Sequence, residues 1–347
     1  MQGAMKRIGI LGHYGFGSDE SNGQTIKTKI ITKELQGIFG EDEISMADTK
    51  GGWKFALRMP FVIFWLLARH RNVIIFPASG ASKILPIVLV AENVLFHRSL
   101  HHVAIGSQLP KWVRQKSLLR FCLRRFKGIY VETRFMKEAF DEMGFTNVFI
   151  MPNSKRLPIL TNEELKPRAT FPLRLCTFSR VMEEKGIEDA INAVKNCNRQ
   201  LGQTMFLLDI YGQIEQPEWF ETLMKGQPSE IHYGGIVPFA DSTNVLRNYF
   251  ALVFPTRYKI EGFAGTLIDA MTAGLPTIAS DCRSNIEILE EGKTGIIYPI
   301  GDVEALTRIL VEAANHPESI EGMRQYCIIK AKEFQPNKVV KVLADKL

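Results

Sequence analysis

The sequence predicts an α/β protein built from two doubly wound, parallel-sheet domains of Rossmann-like type in tandem. Twelve short β-rich runs alternate with helical stretches along the 347 residues. Those runs are near-continuously apolar instead of alternating, as burial on both faces of a parallel sheet requires. The charge also changes character midway: residues 1–170 hold 25 Lys and Arg against 14 Asp and Glu, while residues 171–347 hold 18 against 23.

In the first half the runs are RIGILG (7–12), EISMA (43–47), NVIIF (72–76), HVAIG (102–106), GIYVE (128–132) and NVFIM (147–151). The second half has LRLCTF (173–178), MFLLDIYG (205–212), IHYGG (231–235), ALVFP (251–255), PTIAS (276–280) and GIIYP (295–299). Between the halves, LPILTNEELKPRATFP reads as a linker, giving domains 1–168 and 169–330, with a final helix over 331–347 expected to cross back to the first. Ligands of open α/β sheets bind outside the carboxyl ends of the strands. Two such domains facing each other would enclose a cleft, so function should sit in the loops after the strands.

Three helices can be read closely. Over 302–314, Asp302 can cap the first turn, and Val303, Leu306, Ile309, Leu310 and Ala313 form one stripe. FALRMPFVIFWLLAR (55–69) is broken by Arg58 and Pro60 and falls short of the roughly 20 residues that span a bilayer, so it reads as a buried core helix. KWVRQKSLLRFCLRRFK (111–127), taken as one helix, puts Trp112, Leu118, Leu119, Cys122, Leu123 and Phe126 on one arc and Lys116, Arg120, Arg124 and Lys127 on the other. No acid occurs from Asn93 to Val131, so the first half is expected to meet something anionic.

Composition sets the remaining bounds. With 46% hydrophobic and 23% charged residues the chain is an ordinary globular one, which excludes disordered and fibrous classes. Five cysteines, odd in number and without a C-x-x-C pair, argue against a disulfide framework or a zinc site, and a reducing cytoplasm fits. No charged segment followed by an apolar one opens the chain, and Met5 is a second candidate start.

The loop after the first run, GHYGFGSDESNGQTIKT (12–28), is rich in glycine and enters a helix, so Gly15, Gly17, Asn22, Gly23 and Gln24 are candidates to meet an anion or acceptor at a helix N-terminus. The dinucleotide fingerprint G-x-G-x-x-G fails here, because Glu20 stands where the third glycine belongs, and Asp48 lies too far on to serve as the ribose acid. Purely structural turns are the competing reading. In TFSRVMEEKGIEDAINAV (177–194), Arg180 and Lys185 flank a loop ending at Gly186, where a helix begins. Two cations and a helix N-terminus suit a diphosphate; alternatively both are solvated and paired with Glu183 and Glu184.

FPTRYKIEGFAGTLIDAMTAGLPTIASD (254–281) reads as strand end, loop, helix 264–273 with Gly274 as its C-cap, then strand. Glu261 precedes the helix, Asp269 shares a helix face with Gly265, and the first-turn N–H groups of Phe263, Ala264, Gly265 and Thr266 lie between them, beside Gly262. A carboxylate, an anion seat and a second carboxylate match the order of a nucleoside diphosphate sugar: hexose hydroxyls, diphosphate, ribose hydroxyls.

This stretch resembles the E-x7-E motif of retaining GT-B glycosyltransferases of the GT4-like group (glycosyl transferases group 1), and the resemblance covers nearly the whole chain. SRVMEEKGIEDAI is similar to that family's G-R-x-x-x-x-K-G segment, VFIMPNS (148–154) to its P-N-G, LLDIYGQ to its strand ending in glycine, here Gly212, and SDCRSNIEILEEGKTGIIYPIGDVEAL (280–306) to its tail. By position the resemblance implies that Glu261 contacts the donor sugar, Asp269 the ribose, and Arg180 and Lys185 the diphosphate. Three departures stand out: Asp269 for the second Glu, Ser179 for the Gly before the Arg, and Gly106 and Ser107 where many members carry a His. His101 and His102 stand at the entry to the fourth run as read here, and are not assigned a role.

The resemblance implies transfer of a hexosyl group from a nucleotide sugar, UDP-linked by default, to an acceptor hydroxyl with retention. It implies no cofactor and no metal, and the chain lacks a D-x-D. The loops are similar to those of bacterial surface-polysaccharide enzymes, for which a lipid-linked or glycan acceptor is expected. Lys116, Arg120, Arg124 and Lys127 would then hold the protein to the inner face of the cytoplasmic membrane. Nucleic acid is not an expected partner, since no reader motif accompanies the charge. The alternatives are an epimerase on the same fold and a catalytically silent nucleotide-sugar-binding partner.

Overall fold

The computed structural model describes residues 5–16, 23–51, 53–77, 80–258 and 261–347. It divides into one unit ending at Arg156 that also takes in Phe334–Leu347, and a second unit, Leu157–Glu333. The division falls before the linker read at 168 because residues 157–168 pack on the second unit. There the Leu160 N–H donates to the Thr272 carbonyl (3.0 Å), Leu165 lies against Gly274, and the Arg168 N–H donates to Glu321 (2.6 Å).

The first unit runs β1 (Lys6–Gly12), α1 (Gly23–Phe39), β2 (Ile44–Asp48), α2 (Trp53–Arg69), β3 (His70–Phe76), α3 (Leu85–Asn93), β4 (Ser99–Val103), α4 (Leu109–Gln115), α5 (Ser117–Leu123), β5 (Gly128–Val131), α6 (Arg134–Asp141) and β6 (Val148–Ile150). The six strands form one parallel sheet in the order β2-β1-β3-β4-β5-β6. Alternate residues of each strand feed two cores. Val73 and Ile75 join Leu66, Leu89 and Leu123 on one face, while Ile74 and Phe76 join Ile31 and Leu35 on the other, with Val340 and Leu343 from the returning C-terminus.

Three expectations change here. β4 begins at Ser99, so His101 and His102 lie within it and both are fully buried. His101 Nδ1 sits 3.0 Å from the Tyr130 hydroxyl. Burial pushes His101 down to about 3 and His102 to about 4. A proton must therefore bind the unfolded chain in preference to the folded one. Stability is full above the unfolded imidazole value and is lost as pH falls from there toward about 4 and about 3. We expect each imidazole to add about 1.4 kcal/mol per pH unit to that loss, and His102→Phe to flatten the acid limb of chemical unfolding measured against pH.

The helix read over 111–127 is broken at Lys116, whose backbone is extended. Arg120 turns its guanidinium back onto the Val113 (3.3 Å) and Arg114 (2.8 Å) carbonyls, and Arg124 donates to the Met143 carbonyl (2.7 Å). These two arginines therefore close off neighbouring chain ends, whereas Lys116 and Lys127 are exposed without such a task. Leu118, expected in the core, faces outward. Nor is α2 wholly buried: Ile63, Leu66 and Leu67 fill the core, while Leu57, Phe61, Phe64 and Trp65 are exposed.

The second unit runs β7 (Leu173–Phe178), α7 (Ile187–Leu201), β8 (Phe206–Tyr211), α8 (Pro217–Met224), β9 (Ile231–Gly235), α9 (Ser242–Leu246), β10 (Ala251–Phe254), α10 (Gly265–Thr272), β11 (Thr277–Ser280), α11 (Arg283–Ile288), β12 (Gly295–Tyr298), α12 (Val303–Asn315), α13 (Pro317–Glu321) and α14 (Arg324–Ala331). Its parallel sheet has the order β12-β11-β10-β7-β8-β9. Helix α12 starts where its cap predicts, with Asp302 accepting from the Ala305 N–H at 2.7 Å. Gly274 takes the left-handed conformation just past α10, as a helix C-terminus favours. The chain returns to the first unit through α15 (Pro336–Val339) and α16 (Lys341–Ala344).

Candidate functional site

The loops that leave β7, β8 and β10 are drawn together at the carboxyl ends of those strands. Because Gly212 has φ 140°, the β8 loop can pass directly against the Ser179 carbonyl, where any Cβ would overlap the oxygen. Val181 and Ile214 then form a parallel bridge, and Gln216 accepts from the Glu183 N–H (2.8 Å). Gly186, at φ 69°, makes a similar approach to the Pro255 carbonyl and serves as the cap from which α7 starts. The Arg257 N–H donates to the Glu184 carbonyl (2.8 Å), and the Arg257 side chain forms a two-pronged ion pair with Asp189 of α7. On the far side of the loop the Thr266 hydroxyl donates to the Phe178 carbonyl at 2.6 Å, tying the start of α10 to the end of β7.

At the centre of this junction Lys185 forms an ion pair with Glu261, 76 residues away in sequence. The Lys185 side chain is 6% exposed and that of Glu261 13%. Around the ammonium group stand the rings of Tyr258 (5.1 Å) and Phe254 (5.6 Å), and the Thr256 hydroxyl donates to the same Glu261 oxygen (3.2 Å). Lys185 is thus neither solvated nor paired with Glu183 or Glu184. It is a buried cation whose partner comes from the loop before α10. Arg180 is exposed, and the Ser179 hydroxyl donates to the Arg180 carbonyl (3.1 Å), so the serine that departs from the family pattern closes a local turn.

Helix α10 begins at Gly265, and Gly265 and Thr266 are partly exposed in its first turn. Phe263 and Ala264 are buried. Asp269 lies one turn further in and is 3% exposed. The structure therefore joins Lys185 to Glu261 and ties the start of α10 to the end of β7, whose loop carries the exposed Arg180. Asp269 is buried one turn into α10, and Gly212 sets the β8 loop against Ser179. Sequence reasoning missed Thr256, Tyr258 and Arg257, whose signal is their place in the loop directly after an apolar strand.

In the first unit, Gly15 has φ 64° and Gln24 donates to the Phe76 carbonyl (3.4 Å) near the start of α1 at Gly23; Gly17 and Asn22 lie outside the described residues. Asp48, set aside as a ribose ligand, accepts from the N–H groups of Tyr14 (3.0 Å), Phe16 (2.9 Å) and Lys50 (3.0 Å), which holds its carboxyl below the usual range despite partial burial. It fixes Tyr14 and Phe16 just after β1. Among the described residues, no three His, Cys, Asp or Glu side chains are grouped to hold a metal ion.

Residues 172–316, most of the second unit and all of the junction, match the family described as Glycosyl transferases group 1. The matched stretch is under half of the chain. Among curated proteins it is similar to the amylovoran biosynthesis glycosyltransferase AmsK of Erwinia amylovora, 26% identical over 43% of this chain and 38% of that one. It is also similar to the putative colanic acid biosynthesis glycosyltransferase WcaL of Salmonella typhimurium, 27% identical over 41% and 36%. The aligned part thus spans less than two fifths of each of these relatives. Among solved structures, Anabaena HepE in complex with UDP superimposes with a TM-score of 0.76 at 14% identity, covering 98% of both chains. The fold is that of GT-B glycosyltransferases.

Proposed function

We propose that this protein is a retaining glycosyltransferase of bacterial polysaccharide synthesis, moving a hexosyl group from a UDP-sugar to a hydroxyl of a lipid-linked or glycan acceptor. The observation that carries the reading is the Lys185–Glu261 pair set beside the first turn of α10. In this reading the Glu261 carboxylate accepts from hexose hydroxyls. Arg180, Lys185 and the first-turn N–H groups neutralise the leaving diphosphate in place of a metal, while Asp269 accepts from the ribose. The names of AmsK and WcaL support the pathway class, and the UDP of HepE supports the nucleotide.

Retention follows a front-face route, in which the leaving phosphate takes the acceptor proton, since no second acid is assigned across the sugar. The enzyme works at the inner face of the cytoplasmic membrane, with the basic first unit toward anionic lipid. The test is a calorimetric screen of nucleotide sugars without added metal. Binding of one UDP- or GDP-sugar accompanied by slow hydrolysis supports a transferase; binding with interconversion of sugars and no hydrolysis marks an epimerase; binding without turnover, even with acceptors present, marks a silent partner.

A further inference from the structure

The outward face of α2 is apolar. At 100° per residue, Leu57, Phe61, Phe64 and Trp65 fall within about 100° of one another, opposite the core residues Ile63, Leu66 and Leu67. Phe61 is 78% exposed and Leu57 68%. The patch continues across the same side of the sheet, since α3 packs against both α2 and α5. Phe64 meets the Phe96 ring edge-on at 5.0 Å, Leu95 beside it is exposed, and on α5 the exposed Phe121 lies under the Arg125 guanidinium at 3.5 Å. The segment that carries this patch is strongly basic: from Thr49 to Val131 the chain has 14 Lys and Arg, and Glu92 is its sole acid.

A contiguous apolar patch of this kind is uncommon on a soluble protein unless something covers it. A second copy would have to set the same cationic rim against itself, which like-charge repulsion opposes. An anionic lipid surface satisfies both parts, with aromatic and aliphatic side chains entering the acyl boundary and the cations lying at the phosphates. Among the described residues no helix is long and apolar enough to cross a membrane, so α2 would lie along the surface.

We infer that the outward face of α2 is an insertion element that seats the first unit on an anionic bilayer, with Phe61, Phe64 and Trp65 entering the interface. This deepens the membrane reading proposed above and moves its centre from the basic arc of α5 to the aromatic face of α2. The test uses the full chain with vesicles of phosphatidylcholine alone and of phosphatidylcholine mixed with phosphatidylglycerol. Wild type is expected to co-sediment with the mixed vesicles only. The double variant F61S/F64S, with circular dichroism and melting unchanged, should lose at least about tenfold in partition, and K116E/K127E should lose the salt-sensitive part of binding.

F61S/F64S sedimenting like wild type would overturn the inference. So would a wild type that ignores both vesicles, whether it is monomeric or forms dimers that F61S/F64S dissociates. Donor hydrolysis without vesicles reports separately on the second unit: its loss in wild type would strike the transferase reading and leave this one standing.

Discussion

Lys185→Met is expected to lower donor cleavage by about 10²- to 10³-fold, the usual effect of removing one preorganised charge from a transition state. The same change should destabilise the fold, because it leaves the Glu261 carboxylate without its ammonium partner at 13% exposure. Breaking a buried pair from one side costs about 3–5 kcal/mol; the Thr256 hydroxyl still donates to Glu261, which favours the lower end. Glu261→Gln strands the more deeply buried Lys185 and should cost at least as much. The double variant K185M/E261Q removes both charges, so it should recover most of the stability and none of the turnover. Melting temperature and hydrolysis rate across the three variants separate a pair kept for folding from one kept for chemistry.

The second large effect is conformational. Gly212→Ala asks a Cβ to occupy the place of the Ser179 carbonyl oxygen at a φ of 140°, and neither backbone can yield without parting β7 from β8. A loss of about 4 kcal/mol or more is expected, together with loss of nucleotide binding, since the Ser179–Arg180 turn would be displaced. Gly202→Ala is the control. Gly202 is also left-handed, at φ 69°, but an added methyl would have nothing within 4 Å, so only the conformational cost of about 1 kcal/mol should remain. Urea unfolding of both variants gives the comparison.

The central strands were legible because a run buried on both faces of a parallel sheet leaves a continuous apolar signature, while the partly buried edge strands β2, β6 and β9 were read as short β-rich runs. The cap at Asp302 and the glycine after α10 were legible for a similarly local reason. What failed was long-range or faced solvent. The start of β4 slid by three residues, from His102 to Ser99, because histidine carries no clear strand preference, and this hid two core imidazoles. The break at Lys116 has no Gly or Pro to announce it. In α2 both faces are apolar, so periodicity could not say which one meets the sheet.

At the site, sequence placed Arg180, Lys185, Glu261 and Asp269 in loops and a helix after strands, but it offered Glu183 and Glu184 as partners for Lys185. Nearness along the chain favoured them. The Gly186 approach, which brings the β10 loop against the β7 loop, and the Gly212 approach, which sets the β8 loop on its other side, decided otherwise.

In the proposed reaction the Lys185–Glu261 junction breaks the bond between a sugar and a nucleoside diphosphate. Its most direct test is proton NMR of the anomeric signals during hydrolysis of the UDP-sugar or GDP-sugar that binds, run with wild type and with folded K185M/E261Q. Wild type is expected first to release free sugar with the anomeric configuration of the donor, and the variant to release none above background. Equal release by the two proteins, or first release of the opposite anomer, would contradict it.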